Sequence, residues 1–250
     1  YMNIKDQYKC LVSSKQASFV NSMSMVFSQG YLANAIEVIA KQSNSTIKVT
    51  EIGCYNARLM NFLIQRKVVV SYTGVDIRKE YLDESELIDH PHVTLLNEDA
   101  IHYLSIPKES QDVVVSSEVL EHIDEVDLKD LLTNMVTLLA PGGTLITSFP
   151  ENTDQCVFHI VSNETDMGHV NFPVYPEYIY LVEGLGMKLI SYDSGFTVRS
   201  SYVPPDLISS SKEYKKIYRM LGHRMALAYA MTIDEGHTGG GYYTFRKEEV

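Results

Sequence analysis

Two carboxylates at the ends of apolar runs offer the first chemistry in this chain. Residues 49 to 57 read Val49, Thr50, Glu51, Ile52, Gly53, Cys54, Tyr55, Asn56, Ala57, an apolar strand that ends in an acid and a glycine. About one strand-helix unit later a second such strand ends Gly74, Val75, Asp76. In a doubly wound sheet, ligands bind at the carboxyl ends of the strands near the switch point. Acids at those two tips therefore face a nucleoside, and Asp76 is placed to take a ribose diol. A dinucleotide would need a Gly-x-Gly-x-x-Gly turn to bring the backbone against its pyrophosphate at a helix N-terminus. Only Gly53 of such a turn is present, so a phosphate-free nucleoside cofactor fits better and a nicotinamide dehydrogenase is disfavoured.

Residues 51 to 57 resemble the first motif of the class I S-adenosylmethionine-dependent methyltransferases, an acid followed by three alternating glycines. Glu51 and Gly53 match, whereas Tyr55 and Ala57 stand at the second and third glycine positions. The resemblance implies that the loop with Glu51, Gly53 and Tyr55 holds the methionine part of S-adenosyl-L-methionine, with Asp76 and Ile77 at the ribose end. Val93 to Leu96, then Asn97, Glu98, Asp99 and Ala100, is a third strand and its exit loop. There the family sets an acidic side chain beside the adenine amino group, which makes Asp99 that acid and Ala100 its neighbour in the site. Asp112 to Ser116 is a continuous apolar run of the kind expected for a strand buried on both faces. It delivers Ser117, Glu118, Val119, Leu120, Glu121, His122, where the family often reads Glu-Val-Leu-Glu-His, and this adds Ser117 and Glu118 to the implied cofactor site.

The elements that must carry these residues follow from periodicity. Val126, Leu128, Leu131, Leu132, Met135, Leu138 and Leu139 recur at helical spacing, and Pro141, Gly142, Gly143 should end that helix. Gly143 to Phe149 reads as the fifth strand, Met187 to Asp193 as the sixth and Tyr242 to Arg246 as the seventh, which the family pairs antiparallel beside it. The expected fold is α/β: a Rossmann-like doubly wound seven-stranded sheet, mostly parallel with an antiparallel last strand, and an inserted helical segment before that strand. The chain reads as one methyltransferase domain, 1–250. Its parts are an N-terminal helical cap (1–44), a cofactor-binding core (45–193), an insertion (194–241) and the last strand with its tail (242–250). In the cap, Ala33 to Gln42 looks like one amphipathic helix with Ala35, Ile36, Val38 and Ile39 on its apolar side. Tyr8, Phe19 and Phe27, further back in the same stretch, read as core aromatics rather than substrate contacts.

Composition sets bounds on function. With 250 residues, 45% of them hydrophobic, the chain can bury a full single-domain core. A formal charge of -11 argues against a general nucleic-acid-binding surface, whose affinity comes from Lys and Arg neutralising phosphates. Cys10, Cys54 and Cys156 are widely spaced, with no Cys-x-x-Cys pair, so neither a disulfide framework nor a thiolate metal site is indicated. Cys54 reads as a small apolar residue rather than a nucleophile. No run reaches the length of a membrane helix and no leader opens the chain, so a cytoplasmic protein without membrane association is expected. The start at Tyr1 instead of Met suggests a trimmed chain or a fragment.

The acceptor side is less defined. His122, His159 and His169 fall where the chain would overhang the pocket, and an acceptor that loses a proton needs a base near neutral pKa. His122 and His169 are the candidate bases, although the family keeps a histidine at the first position in members of differing specificity. Acceptor choice should come from the added segments 151–180 and 194–241, with Tyr175, Tyr178, Arg199 and Tyr202 as contacts. The helical run with Lys212, Lys215, Lys216, Arg219 and Arg224 against Glu213 alone would read an anionic group. Acidity favours a small-molecule acceptor, methylated on oxygen or nitrogen. Two alternatives stand beside it. Glu118, Glu121, His122 and His169 resemble the metal-binding set of Hen-type RNA ribose 2'-O-methyltransferases, although the expectation here is no metal. The Tyr55 and Ala57 departures would also suit a noncatalytic cofactor-binding or partner subunit.

Overall fold

A computed structural model of the chain describes residues 15–150, 175–195 and 240–248. In chain order the elements are α1 (Lys15–Gln42), β1 (Ile47–Ile52), α2 (Arg58–Gln65), β2 (Val70–Val75), α3 (Lys79–Asp83), β3 (Val93–Leu96) and β4 (Gln111–Ser117). A single 3-10 turn (Leu120–His122) follows, then α4 (Glu125–Leu138), β5 (Leu139–Pro150), α5 (Tyr175–Glu183), β6 (Met187–Gly195) and β7 (Gly240–Lys247). One seven-stranded sheet has the order β3-β2-β1-β4-β5-β7-β6. Pairings from β3 across to β5 are parallel, and β7 runs antiparallel to both β5 and β6. This is the expected doubly wound α/β sheet with its antiparallel last strand. The order reverses at the β1/β4 boundary, and the carboxyl ends of β1, β2 and β4 meet there.

The central strands are apolar on both faces because each face is covered. Ile52, Val75, Val114, Leu145, Phe149, Tyr243 and Phe245 pack with the buried side of α4 and α5. Ile47, Val49, Tyr72, Val113, Val115 and Ile146 pack with Leu32, Ala33 and Ile36 of α1 and Leu59, Met60 and Leu63 of α2. Burial of this kind, worth about 25 cal/mol per Å² of apolar surface, fixes where each strand tip ends.

Three expectations need correction. α1 is far longer than Ala33–Gln42, and Val38 is 47% exposed, so the buried stripe is Leu32, Ala33 and Ile36. β5 begins at Leu139, directly after α4, and not at Gly143. Pro141, Gly142 and Gly143 do not separate the elements; they form an irregularity within β5, where the register against β4 slips between Gln111↔Leu139 and Val113↔Thr144 and Gly142 takes φ 72°. β6 and β7 each extend further into the 194–241 segment than expected, to Gly195 and from Gly240.

Candidate functional site

The loop that leaves β1 is held to its neighbours through the backbone. The amides of Gly53 and Cys54 donate to the Val75 carbonyl at 2.8 and 3.1 Å, and Asp76 N donates to Leu96 O at 3.1 Å. Three successive strand tips are thereby stitched side by side. Gly53 takes φ 73°, and a Cβ built there would lie 2.2 Å from a methyl of Val119. The β1 loop and the Glu118–His122 segment are thus in direct contact, and only glycine fits between them. Gly74 is similarly confined, since a Cβ would meet Cys54 Sγ at 2.7 Å.

The two positions where the sequence departs from the family's glycines keep a glycine-like backbone. Tyr55 takes φ 53° and Ala57 takes φ 61°, both in the left-handed region, and Ala57 is the residue from which α2 starts. For a non-glycine residue this region costs on the order of 1–2 kcal/mol each. Visible contacts offset that cost at Tyr55. Its amide donates to Asp76 Oδ2 at 2.9 Å, its ring lies 4.3 Å from the Tyr81 ring, and the Arg58 guanidinium sits 4.5 Å above it.

Asp76 is buried at the tip of β2. Its Oδ1 accepts from the Arg78 amide at 2.9 Å, while Oδ2 takes the Tyr55 amide. Burial raises its pKa above the ordinary 3.8, and the two amides pull it back down. Each carboxylate oxygen still has a lone pair to offer, so the group is oriented to accept two hydroxyls from one ligand. Ile77 beside it is 63% exposed, an apolar surface at the rim. The Asn97 side chain donates to the carbonyls of Asp76 and Ile77 at 3.0 and 2.9 Å and locks this tip to β3.

Asp99 and Ala100 lie in the turn after β3. Asp99 Oδ1 caps the Ile101 amide at 3.0 Å. From the other side Asn134 of α4 donates to the carbonyls of Ala100 and Ile101 at 2.9 and 2.8 Å. Glu51 lies deeper and receives the Tyr72 hydroxyl. Tyr72 pairs in register with Val49, two residues before Glu51, so its phenol reaches the carboxyl diagonally across the β1–β2 pair. Burial pushes the Glu51 pKa up to about 8, with Asp76 adding repulsion, so the group is a neutral acid at pH 7. It acts as a buried floor of the loop. Burial also pushes the Cys54 thiol up, and with the Asp76 carboxylate nearby it is no nucleophile.

The tips of β4 and β5 use hydroxyls. Ser117 at the end of β4 bonds Ser148 of β5 at 2.9 Å and Ser28 of α1 at 2.8 Å, and Ser28 also meets Ser148 at 3.3 Å. Tyr242 of β7 packs 4.3 Å from the ring of Tyr31 of α1. α1 is therefore docked over the ends of β4, β5 and β7. Glu118 takes φ 55° with its amide on Ser148 O at 2.9 Å, Leu120 and Glu121 turn inward, and His122 closes the turn.

The structure thus brings Glu51, Gly53, Tyr55, Asp76, Ile77, Asp99, Ala100, Ser117, Glu118 and His122 to one edge of the sheet. Tyr178 does not belong with them. It is buried in the core against Phe149 and Tyr243, with its hydroxyl on Thr147 at 2.7 Å, because α5 turns that face onto the sheet. His159, His169, Arg199, Tyr202, the basic run from Lys212 to Arg224 and the side chain of Tyr175 lie outside the described residues. Sequence reasoning missed Tyr72, Tyr81, Asn134 and Ser28. Only Tyr72 left a signal, its alternation with Gly74 on β2 two residues out of step with Glu51.

The model of a family described as a methyltransferase domain matches residues 27–201. No curated protein matches the sequence significantly. Among solved structures, a candidate methyltransferase in complex with the Haloferax volcanii Trm112 methyltransferase activator aligns with TM-score 0.61 and 14% identity, covering 93% of this chain and 97% of that one. An S-adenosylmethionine-dependent methyltransferase from Archaeoglobus fulgidus aligns with TM-score 0.54 and 19% identity, covering 88% and 95%. The cyclase SpnF aligns with TM-score 0.58 and 15% identity, covering 87% and 82%. At such identities the likeness is one of fold, and a cyclase on this fold shows that the site must carry the chemistry. Together with the family match over more than half its length, the architecture places the chain in the methyltransferase domain family, with the fold of the class I S-adenosylmethionine-dependent methyltransferases.

Proposed function

We propose that this protein transfers the methyl group of S-adenosylmethionine to an oxygen or nitrogen atom of a small molecule. The observation that carries the reading is the loop 53–57, which takes a left-handed backbone at Gly53 and at the two positions where the family has glycine, Tyr55 and Ala57, and delivers an amide to Asp76. The residues fit a nucleoside without phosphates. Asp76 presents two oriented oxygens to a ribose diol, Ile77 gives an apolar surface for the adenine, and Asp99 Oδ2, which lies 3.9 Å from His102 Nε2, is the oxygen that would take the adenine amino group. Glu51, Gly53 and Tyr55 form the loop around the methionine part, with Ser117 and Glu118 closing it from β4.

When bound, that cofactor supplies an already activated sulfonium methyl. The chain then has to align the acceptor in line with the methyl, keep water out and accept a proton. His122 is the described candidate for the last task, with His169 as the second. The acceptor wall comes from 151–180 and 194–241, through Tyr175, Arg199, Tyr202 and the basic run from Lys212 to Arg224. The net charge of -11 favours a small molecule over a nucleic acid. Among the described residues no helix is long and apolar enough to cross a membrane.

The test is incubation of a metabolite extract with methyl-labelled cofactor, beside a variant in which 194–241 is shortened to a turn. Label is expected in a small molecule with the full chain and to be lost or redirected with the shortened one. Label in RNA, dependent on added divalent metal, would replace this reading with the Hen-type one. Equal labelling of one acceptor by both proteins would remove the insertion from the acceptor site.

A further inference from the structure

The second and third glycines of the loop motif are absent, yet the loop follows a glycine-like path, so something other than backbone freedom must hold it. Tyr55 is gripped from two sides. Its ring lies 4.3 Å from that of Tyr81 of α3, tilted by 50°, and the Arg58 guanidinium of α2 covers it at 4.5 Å. Tyr81 is itself fixed, because Arg78 Nη1 donates to its hydroxyl at 2.6 Å and the guanidinium carbon lies 5.1 Å from its ring centre. These contacts join the segment after β1 to the segment after β2. The residue they hold is the one whose amide donates to Asp76 Oδ2, and Arg78, which holds Tyr81, donates its own amide to Asp76 Oδ1. A glycine at position 55 could make the amide bond but none of the side-chain contacts.

We infer that Tyr55, Tyr81 and Arg78 form an aromatic clamp that orients Asp76 for the nucleoside before any ligand arrives, with Tyr81 as a positioning residue that acts through Tyr55. The inference rests on the cofactor reading above. Its consequence runs against family expectation: putting the family's glycine back at position 55 should weaken cofactor binding. Preorganised loops bind more tightly because less order has to be imposed on binding. Freeing the 55 backbone gives up that advantage even as it relieves the left-handed strain.

Two measurements separate the clamp from the cofactor reading. The first is amide hydrogen exchange on the ligand-free protein. In wild type the Tyr55 amide should be protected, and Tyr81→Ala should speed its exchange tenfold or more while the Gly53 amide, bonded to Val75 O, stays unchanged. The second is calorimetric binding of S-adenosylhomocysteine. Tyr55→Gly and Tyr81→Ala should each weaken it roughly five- to tenfold, the double variant should be no worse than the poorer single one, and Tyr55→Phe should stay within about twofold of wild type. Unchanged exchange in Tyr81→Ala, or a Tyr55→Gly protein that binds as tightly as wild type, overturns the clamp. Protected exchange in a wild-type protein that binds no S-adenosylhomocysteine overturns the cofactor reading instead, and with it any role of the clamp in binding.

Discussion

Along the tips of β1, β2 and β3, polar side chains meet backbone: Asp76 takes two amides, Asn97 and Asn134 each bond two carbonyls, and Asp99 caps a turn. Along the tips of β4 and β5 they meet one another, through the hydroxyls of Ser28, Ser117 and Ser148. On the proposed reading the difference suits two tasks. Side chains bonded to backbone hold one geometry, which is what a ligand of fixed shape requires. Hydroxyls can rotate and exchange donor for acceptor, so a site made of them adapts to a new acceptor by small substitutions.

The largest expected effect is on the nucleoside side. Asp76→Ala removes both oriented oxygens, and two charge-assisted hydrogen bonds correspond to a loss of roughly 100-fold or more in S-adenosylhomocysteine affinity. Calorimetry on a variant with wild-type circular dichroism checks this, and undiminished affinity would remove Asp76 from the site. Gly53→Ala should destabilise by about 3 kcal/mol, from overpacking against Val119 and the left-handed backbone. Thermal unfolding should report this as a Tm lower by roughly 6–12 °C.

Glu51 gives an intermediate effect with a defined sign. Its folded-state pKa of about 8 lies above the ordinary 4.5, so the folded protein holds a proton that the unfolded chain has released. Stability from this group is complete below pH 4.5, is lost as pH rises towards 8, and is flat beyond that. Glu51→Gln should flatten the stability profile in that window, measured by urea unfolding at several pH values. A variant whose profile keeps the wild-type slope would show Glu51 to be ionised. Tyr72→Phe leaves the buried carboxyl without its donor and should cost about 1–3 kcal/mol.

At the tip of β5 the expected effect on the cofactor is small. Ser148→Ala should leave S-adenosylhomocysteine affinity within about twofold, because its partners are hydroxyls that can re-pair. Chelation by EDTA should likewise leave turnover intact once an acceptor is known. Loss of turnover with EDTA, restored by magnesium and abolished by His169→Ala, would make the acceptor side a metal site.

Strand tips were legible in the sequence because apolar runs buried on both faces end abruptly in an acid: Glu51, Asp76 and the Asn97–Asp99 exit each sit where the pattern stops. The β3 limits coincide with the expected Val93–Leu96. The limits of β5 did not, since Pro141, Gly142 and Gly143 carry the composition of a terminator and here serve as a bulge between paired segments. Contacts between residues far apart in the chain were not legible at all. Nothing local to Ser28 points to Ser148, and nothing local to Tyr55 says that Tyr81 will hold it in the left-handed region. Tyr178 shows the converse error, an aromatic of helical spacing taken as an acceptor contact that is core.

The most direct measurement of the central claim is calorimetric titration of the wild-type protein with S-adenosylhomocysteine and, separately, with a nicotinamide dinucleotide. A loop with one glycine and an oriented Asp76 should bind the first with one-to-one stoichiometry and give no heat with the second. Saturable heat from the dinucleotide, or none from S-adenosylhomocysteine, would contradict the assignment of this strand-tip site to a phosphate-free nucleoside cofactor.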